Sequence, residues 1–154
     1  GYSIWPVWCD GSKEMLEICK NKQIAKELIE QDLLVFPWPY QNEQFDHVIS
    51  CGVFHFMGDL DRVFQEIARI QKTSGVFAFT VMDWNDDQGG QGGQERYKKQ
   101  VEDGLDIFSH QISYIDTLLK NYHYHKEKEI VCFVGQTRFR AISARKIGAL
   151  VSSG

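Results

Sequence analysis

Apolar and polar positions change period several times along the chain, and each change marks an element. Residues 76–82, VFAFTVM, form the densest apolar run and predict a strand. Just before it, GDLDRVFQEIARIQK (58–72) places Leu60, Val63, Phe64, Ile67 and Ile70 on one helical face. Asp59 and Asp61 sit at the positive end of that helix, and Thr73-Ser74-Gly75 stops it. FDHVISCGVFHF (45–56) centres on Val48 and Ile49, a short strand buried on both faces and ended by Gly52. Near the start, an apolar run from Ile4 to Cys9 is interrupted by Pro6. Proline cannot donate to a ladder, so this strand is expected to begin late. Ser12 is a plausible N-cap for a helix to about Asn21, with Met15, Leu16 and Cys19 as its stripe. A short strand is expected near Leu28–Glu30, and the prolines of QDLLVFPWPYQNEQ then predict a loop.

The second half is less regular. Residues 83–105 turn acidic and then glycine- and glutamine-rich, which predicts a flexible insertion at about 84–105. Phe108, Ile112, Ile115 and Leu119 are spaced 4, 3 and 4 apart, a helix face. EIVCFVG and QTRFRAISARK read as two strands joined by a glycine turn, an antiparallel pair. Strands and helices thus alternate until a closing hairpin. That order predicts an α/β fold: a Rossmann-like, mostly parallel sheet with helices on both faces and an antiparallel C-terminal strand. The 154 residues are read as one domain over 1–148 with a tail over 149–154.

Composition narrows the function. With 43% apolar and 25% charged residues the chain is ordinary for a globular protein. A net charge of −4 without basic clusters argues against nucleic acid and anionic membranes as partners. No apolar run approaches the ~20 residues that span a bilayer. The four cysteines lack paired spacing, so reduced thiols in a cytoplasmic protein are expected.

Few residues carry chemistry by pattern alone. Asp10 ends the first strand, where a carboxylate can accept from two vicinal ribose hydroxyls; an acid in a helix-entry turn is equally common. Asp32 follows the next strand, and two acids at consecutive strand ends say more than either one. Gly52 lets a ligand approach the backbone, or simply ends its strand. His55 is a candidate proton acceptor, against the commoner outcome of a packed histidine. GGQGGQ (89–94) fits no phosphate-loop register, and HYH (123–125) lacks further ligands at metal-site spacing, so no metal is expected.

Taken in order, VWCDGSKEMLEICKNK and LIEQDLLVFPWPYQNEQFDHVISCGVFHFMGDLDRVFQEIARIQKTSGVFAFTV resemble the class I S-adenosylmethionine-dependent methyltransferases. The likeness is greatest to the small-molecule branch with a D-x-S-x-x-M-L second-strand motif. GLDIFSHQISYIDTLLKNYHYHKEKE is similar to that group's late helix and closing strands.

The resemblance implies that Asp10 binds the cofactor ribose, with Gly11, Ser12 and Met15 bordering ribose and adenine. Asp32 would take the adenine amine and the backbone of Leu33 the ring edge. Ser50, Cys51 and Gly52 would line the sulfonium end, with Phe54 and His55 facing cofactor or substrate. His110 and Tyr114 would belong to a substrate cap drawn from residues 83–114. The activity implied is in-line methyl transfer from S-adenosylmethionine to a small molecule. The family's first strand and glycine-rich loop have no counterpart here, which leads us to expect a truncated pocket. Either a gap or an unusual strand pairing would follow, with open sheet edges through which a second copy or a partner could associate. Two other readings stay open: a non-catalytic methyltransferase-like binding or scaffold domain, and a nicotinamide-dependent oxidoreductase, in which an acid after the second strand also serves.

Overall fold

The computed structural model describes residues 7–10, 27–30, 32–84 and 96–148, the first two segments as backbone alone. The helix expected near 12–21 lies outside the described residues, as do Gly11, Ser12, Met15 and the tail. The chain divides into two compact units, residues 1–39 and 40–154.

In the first unit, β1 (Val7–Asp10) pairs in parallel with β2 (Glu27–Glu30), with Asp10 opposite Glu30. The loop that follows closes on itself. The Leu34 N–H donates to Asp32 Oδ1 at 2.9 Å and the indole of Trp38 donates to the Leu33 carbonyl at 3.1 Å.

The second unit holds a four-stranded sheet of β3 (Val48–Ser50), β4 (Val76–Met82), β7 (Tyr124–Val134) and β8 (Thr137–Lys146), in the order β3-β4-β8-β7. β3 runs parallel to β4, and β8 is antiparallel to both β4 and β7. β3, β4 and β7 therefore share one direction, and their carboxyl ends define one end of the sheet. This is the Rossmann-like α/β arrangement expected from the alternation. Among the described residues, β1 pairs only with β2 and β3 only with β4. Ile49 on β3 is 74% exposed.

Burial on β4 alternates as a strand's period of two requires, with Phe77, Phe79 and Val81 on the buried face. Helix α1 (Asp61–Ile70) covers that face with Val63, Phe64, Ile67 and Ile70. Its Phe64 ring lies 5.4 Å from both Phe77 and Phe79. Helix α2 (Ile112–Asn121) buries Tyr114, Ile115, Leu118 and Leu119.

The ends of α1 are held from elsewhere in the chain. At the N-terminus, Tyr114 of α2 donates its hydroxyl to Asp59 and accepts the Leu60 N–H, both at 3.0 Å. Tyr122 donates to Asp61 at 2.9 Å. At the C-terminus, the Lys146 ammonium donates to the carbonyls of Ala68 and Gln71, each at 2.6 Å. A cation there meets the negative end of the helix dipole as well as two of its orphan acceptors. The turn that follows requires glycine: a Cβ on Gly75 would stand 2.0 Å from the Asp46 carbonyl oxygen.

One expectation is corrected. Residues 97–105 of the stretch read as a flexible insertion, and the start of the helix read from Phe108, form a hairpin; residues 85–95 lie outside the described residues. β5 (Tyr97–Glu102) pairs antiparallel with β6 (Leu105–His110), and Phe108 lies in β6 opposite Lys99. The turn is Asp103-Gly104, at φ +49° and +78°, the two positive values that a two-residue hairpin turn of matching twist needs. β5 is exposed along its whole length, so it carries no apolar alternation to read. The closing pair is as expected, with Val134 opposite Thr137 and Gly135 at φ +62°. Among the described residues no helix is long and apolar enough to cross a membrane.

Lys146→Met keeps the alkyl stem and removes both helix-end hydrogen bonds. It should lower unfolding free energy by about 1.5–3 kcal/mol, the range for bonds to a charged donor. Urea denaturation of both proteins measures this, and an unchanged midpoint would contradict it.

Candidate functional site

The carboxyl end of the second unit's sheet is where ligands sit in open α/β folds. The chain leaves β3 through Ser50, Cys51 and Gly52. Ser50 is half-buried, while Cys51, a free thiol, and Gly52 are exposed. The Gly52 N–H donates to Thr80 Oγ1 of β4 at 2.9 Å, which fixes the loop to the sheet. Gly52 has φ +71°, and a Cβ built there would meet nothing within 4 Å. Glycine is therefore required by conformation, and the space in front of it is open to a ligand. These features fit a site where a cofactor approaches the main chain closely.

A 3₁₀ turn over Phe54–Phe56 follows. Phe54 is 1% exposed and its ring packs on Phe64 and Phe79 at 5.7 and 5.8 Å. That ring belongs to the core rather than to an open surface. His55 is half-buried, with its imidazole edge-on to Phe139 of β8 at 5.8 Å. Burial holds its pKa below the ordinary histidine value, so the ring is neutral at neutral pH. A neutral imidazole can accept a proton.

His110 and Tyr114, from β6 and α2, lie together with rings nearly parallel at 6.2 Å. His110 is fully buried. Its Nε2 is 2.9 Å from the Gly58 carbonyl, which can only accept, so Nε2 carries the proton. Nδ1 then offers a lone pair, and it has no hydrogen-bond partner among the described residues. Desolvation lowers the pKa, the nearby carbonyls of Gly58 and Met57 oppose that, and the charge of His55 adds to the lowering. Burial raises the Tyr114 pKa well above its usual value, and its hydroxyl already bridges Asp59 and Leu60. Of the first unit's candidates, Asp10 is described only as the last residue of β1, and Asp32 sits exposed in the turn after β2.

A second group at this end has no counterpart in the sequence-based reading. Asp83, one residue beyond β4, is an acid whose side chain is only 2% exposed. Arg140 donates to its Oδ1 at 2.7 Å, and Arg138 Nε stands 3.0 Å from its Oδ2. The second contact is close enough for ion pairing but off hydrogen-bond angle, so neither atom has a hydrogen-bond partner. Arg140 also reaches Glu129 at 3.2 Å. Beside this cluster lies a cavity of about 240 Å³ between the end of β4, the start of β8 and the β5–β6 hairpin. The missed signal was the arginine pair two apart in TRFRA, which alternation puts on one face.

Known proteins support the class. The methyltransferase domain family model matches residues 7–79. A SAM-dependent methyltransferase from Methanosarcina mazei superposes with a TM-score of 0.70 at 12% identity, over 92% of this chain and 81% of that one. The 1,6-didemethyltoxoflavin-N1-methyltransferase of Burkholderia thailandensis, solved with S-adenosylhomocysteine, gives 0.62 at 12%, over 88% and 57%. The cyclase SpnF gives 0.67 at 12%, over 93% and 68%. No curated protein sequence matches significantly. The matched segment is just under half of the chain, and the chain as a whole shares the Rossmann-like fold of these methyltransferase structures.

The two lowered histidine pKa values make stability depend on pH. Unfolded, His55 and His110 titrate near ~6.5; folded, they bind protons less readily. The unfolded state therefore holds more protons as pH falls through that value, and stability declines below about pH 6.5. His110→Gln should flatten the decline between pH 7.5 and 5, measured by urea denaturation at each pH. An unaltered slope would show that His110 does not carry it.

Proposed function

We propose that the protein binds S-adenosylmethionine and directs methyl transfer to a small-molecule acceptor by in-line displacement. The observation that carries this reading is the family match over residues 7–79, within which the loop after β3 leaves the backbone of Gly52 open. When bound, the cofactor supplies an electrophilic methyl group on its sulfonium. The chain's part is to bind, orient and exclude water.

In this reading the Asp10 carboxylate accepts from the ribose hydroxyls, with Gly11, Ser12 and Met15 bordering ribose and adenine. Asp32 accepts from the adenine amine, and the backbone of Leu33 meets the ring edge. Ser50, Cys51 and Gly52 line the sulfonium end. Phe54 serves by anchoring that loop through its buried ring. His55 takes a proton where the acceptor must lose one, a role supported by its neutral, half-buried ring. His110 and Tyr114 form the inner wall of the substrate cap. A cytoplasmic setting belongs to the same reading, and the free thiols of Cys51 and Cys132 agree with it.

The second reading is a non-catalytic domain that works by association. The side of β3 away from β4, which pairs with no strand among the described residues and exposes Ile49, favours it because an unpaired edge can accept a strand from a second copy or a partner. The resemblance of the cyclase SpnF also shows that this fold alone does not specify methyl transfer.

Titration calorimetry with S-adenosylhomocysteine separates the readings. Saturable binding is expected, weakened about tenfold or more by Asp10→Asn and by Gly52→Val. No heat at ligand concentrations of about 1 mM would leave the association reading. Tighter binding of a nicotinamide dinucleotide would replace both.

A further inference from the structure

The cavity beside Asp83 has a charge balance that calls for a ligand. Its lining includes Asp83, Trp84, Lys98, Ser109, Thr137 and Arg138. Its lining carries two cations, Lys98 and Arg138, and one carboxylate, Asp83, while Arg140 and Glu129 lie beyond the lining and are reached through Asp83. Asp83 faces both arginines and Glu129 faces Arg140. Arg138 stands closest to Asp83 through Nε, at 3.0 Å, and its two terminal nitrogens make no hydrogen bond among the described residues. Lys98, on the exposed strand β5, makes none either. Ser109 is a buried hydroxyl on the opposite wall, and Thr137 supplies another. A guanidinium edge, an ammonium and two hydroxyls around one space are donors for an oxyanion, and planar recognition by arginine suits a carboxylate or phosphate group.

We infer that this cavity is a binding site for the anionic group of a small molecule, a carboxylate or a phosphate, held by Arg138 and Lys98. Asp83 does not oppose such a ligand. Its charge is matched by Arg140 from one side, and its role is to hold Arg138 in place. A volume near 240 Å³ fits one ring-sized fragment. The half-buried indole of Trp84 gives that fragment an apolar wall. Calling this ligand the methyl acceptor rests on the methyl-transfer reading; its binding does not.

The test is a titration of the ¹⁵N-labelled 154-residue chain, without cofactor, with benzoate, phenyl phosphate and benzamide. Benzoate or phenyl phosphate should shift the Ser109, Thr137 and Trp84 indole resonances saturably. The tighter of the two identifies the group. Benzamide, the neutral match for benzoate, should bind about tenfold more weakly. Arg138→Gln should weaken the better anion about tenfold and Lys98→Gln about fivefold. Lys98 is exposed, so that variant keeps its fold even if loss of Arg138 disturbs Asp83. Equal binding of benzamide, or an affinity unmoved by both substitutions, overturns the inference. Failure of S-adenosylhomocysteine to bind leaves it standing. Failure of both anions while S-adenosylhomocysteine binds overturns it alone.

Discussion

The ring of Phe54 packs against Phe64 and Phe79, and those two rings meet each other and Phe77. Phe54 comes from the turn after β3, Phe64 from α1, and Phe77 and Phe79 from β4. One apolar cluster therefore joins the sheet, its covering helix and the loop at the sheet's carboxyl end. Each fully buried ring contributes roughly 1.5–3 kcal/mol. The consequence for function is positional. Because Phe54 is fixed inward, the residues on either side of it are fixed as well. Gly52 is held outward at the sheet's end, and His55 is held against Phe139 on β8.

The same end of the sheet carries charge where the other end carries apolar packing. On β4 the buried face runs Phe77, Phe79, Val81 and then Asp83; on β8 it runs Ala144, Ile142, Arg140 and Arg138. The pattern changes from apolar to ionic on both strands, one residue pair earlier on β8, where Arg140 stands opposite Val81. A buried carboxylate is tolerable only with partners, and Asp83 has two. Replacing such a cluster with apolar residues is often neutral or stabilising, so fold stability alone is a weak reason for it. Its position beside a cavity gives it another use.

Much of the fold was legible because its strongest signals are local. The α1 stripe, the β4 run and the glycine turn between the last strands each show their period or turn residue directly. The β5–β6 hairpin was not read because β5, YKKQVE, is exposed throughout and offers no alternation. Its Asp103-Gly104 turn was the better signal, and it was overshadowed by the composition of the preceding residues. The site was legible only in part. Gly52 and His55 lie at a strand end that the pattern identifies. The Asp83–Arg138–Arg140 cluster depends on β4 meeting β8, a pairing between residues more than fifty apart, which no local period encodes. His110 and Tyr114 show the converse. Their residue types suggested chemistry, yet a buried ring and a doubly bonded hydroxyl are also what joins β6 and α2 to the start of α1.

Two roles for those buried groups are therefore compatible rather than competing. Tyr114 fixes Asp59 and Leu60, and His110 fixes Gly58, so three consecutive residues before α1 are tied to the hairpin and α2. The hairpin also supplies Lys98 and Ser109 to the charged cavity. A change that loosens His110 would move β6, and with it Ser109, the residue immediately before. Binding in the cavity and the protonation of a buried histidine outside its lining would thus be linked through one strand. Protonating His110 leaves the Nε2 bond to Gly58 in place but puts an unpartnered charge on Nδ1 inside the packed hairpin, which favours loosening it, and an anion held between the hairpin and β8 would resist that loosening. By linkage, an anion that prefers the intact hairpin must further depress the His110 pKa. The sign follows from the geometry: any direct Coulombic attraction between the anion and the imidazolium would raise it instead. The direction of the shift on binding therefore reports whether the cavity and the histidine communicate through the strand or through space.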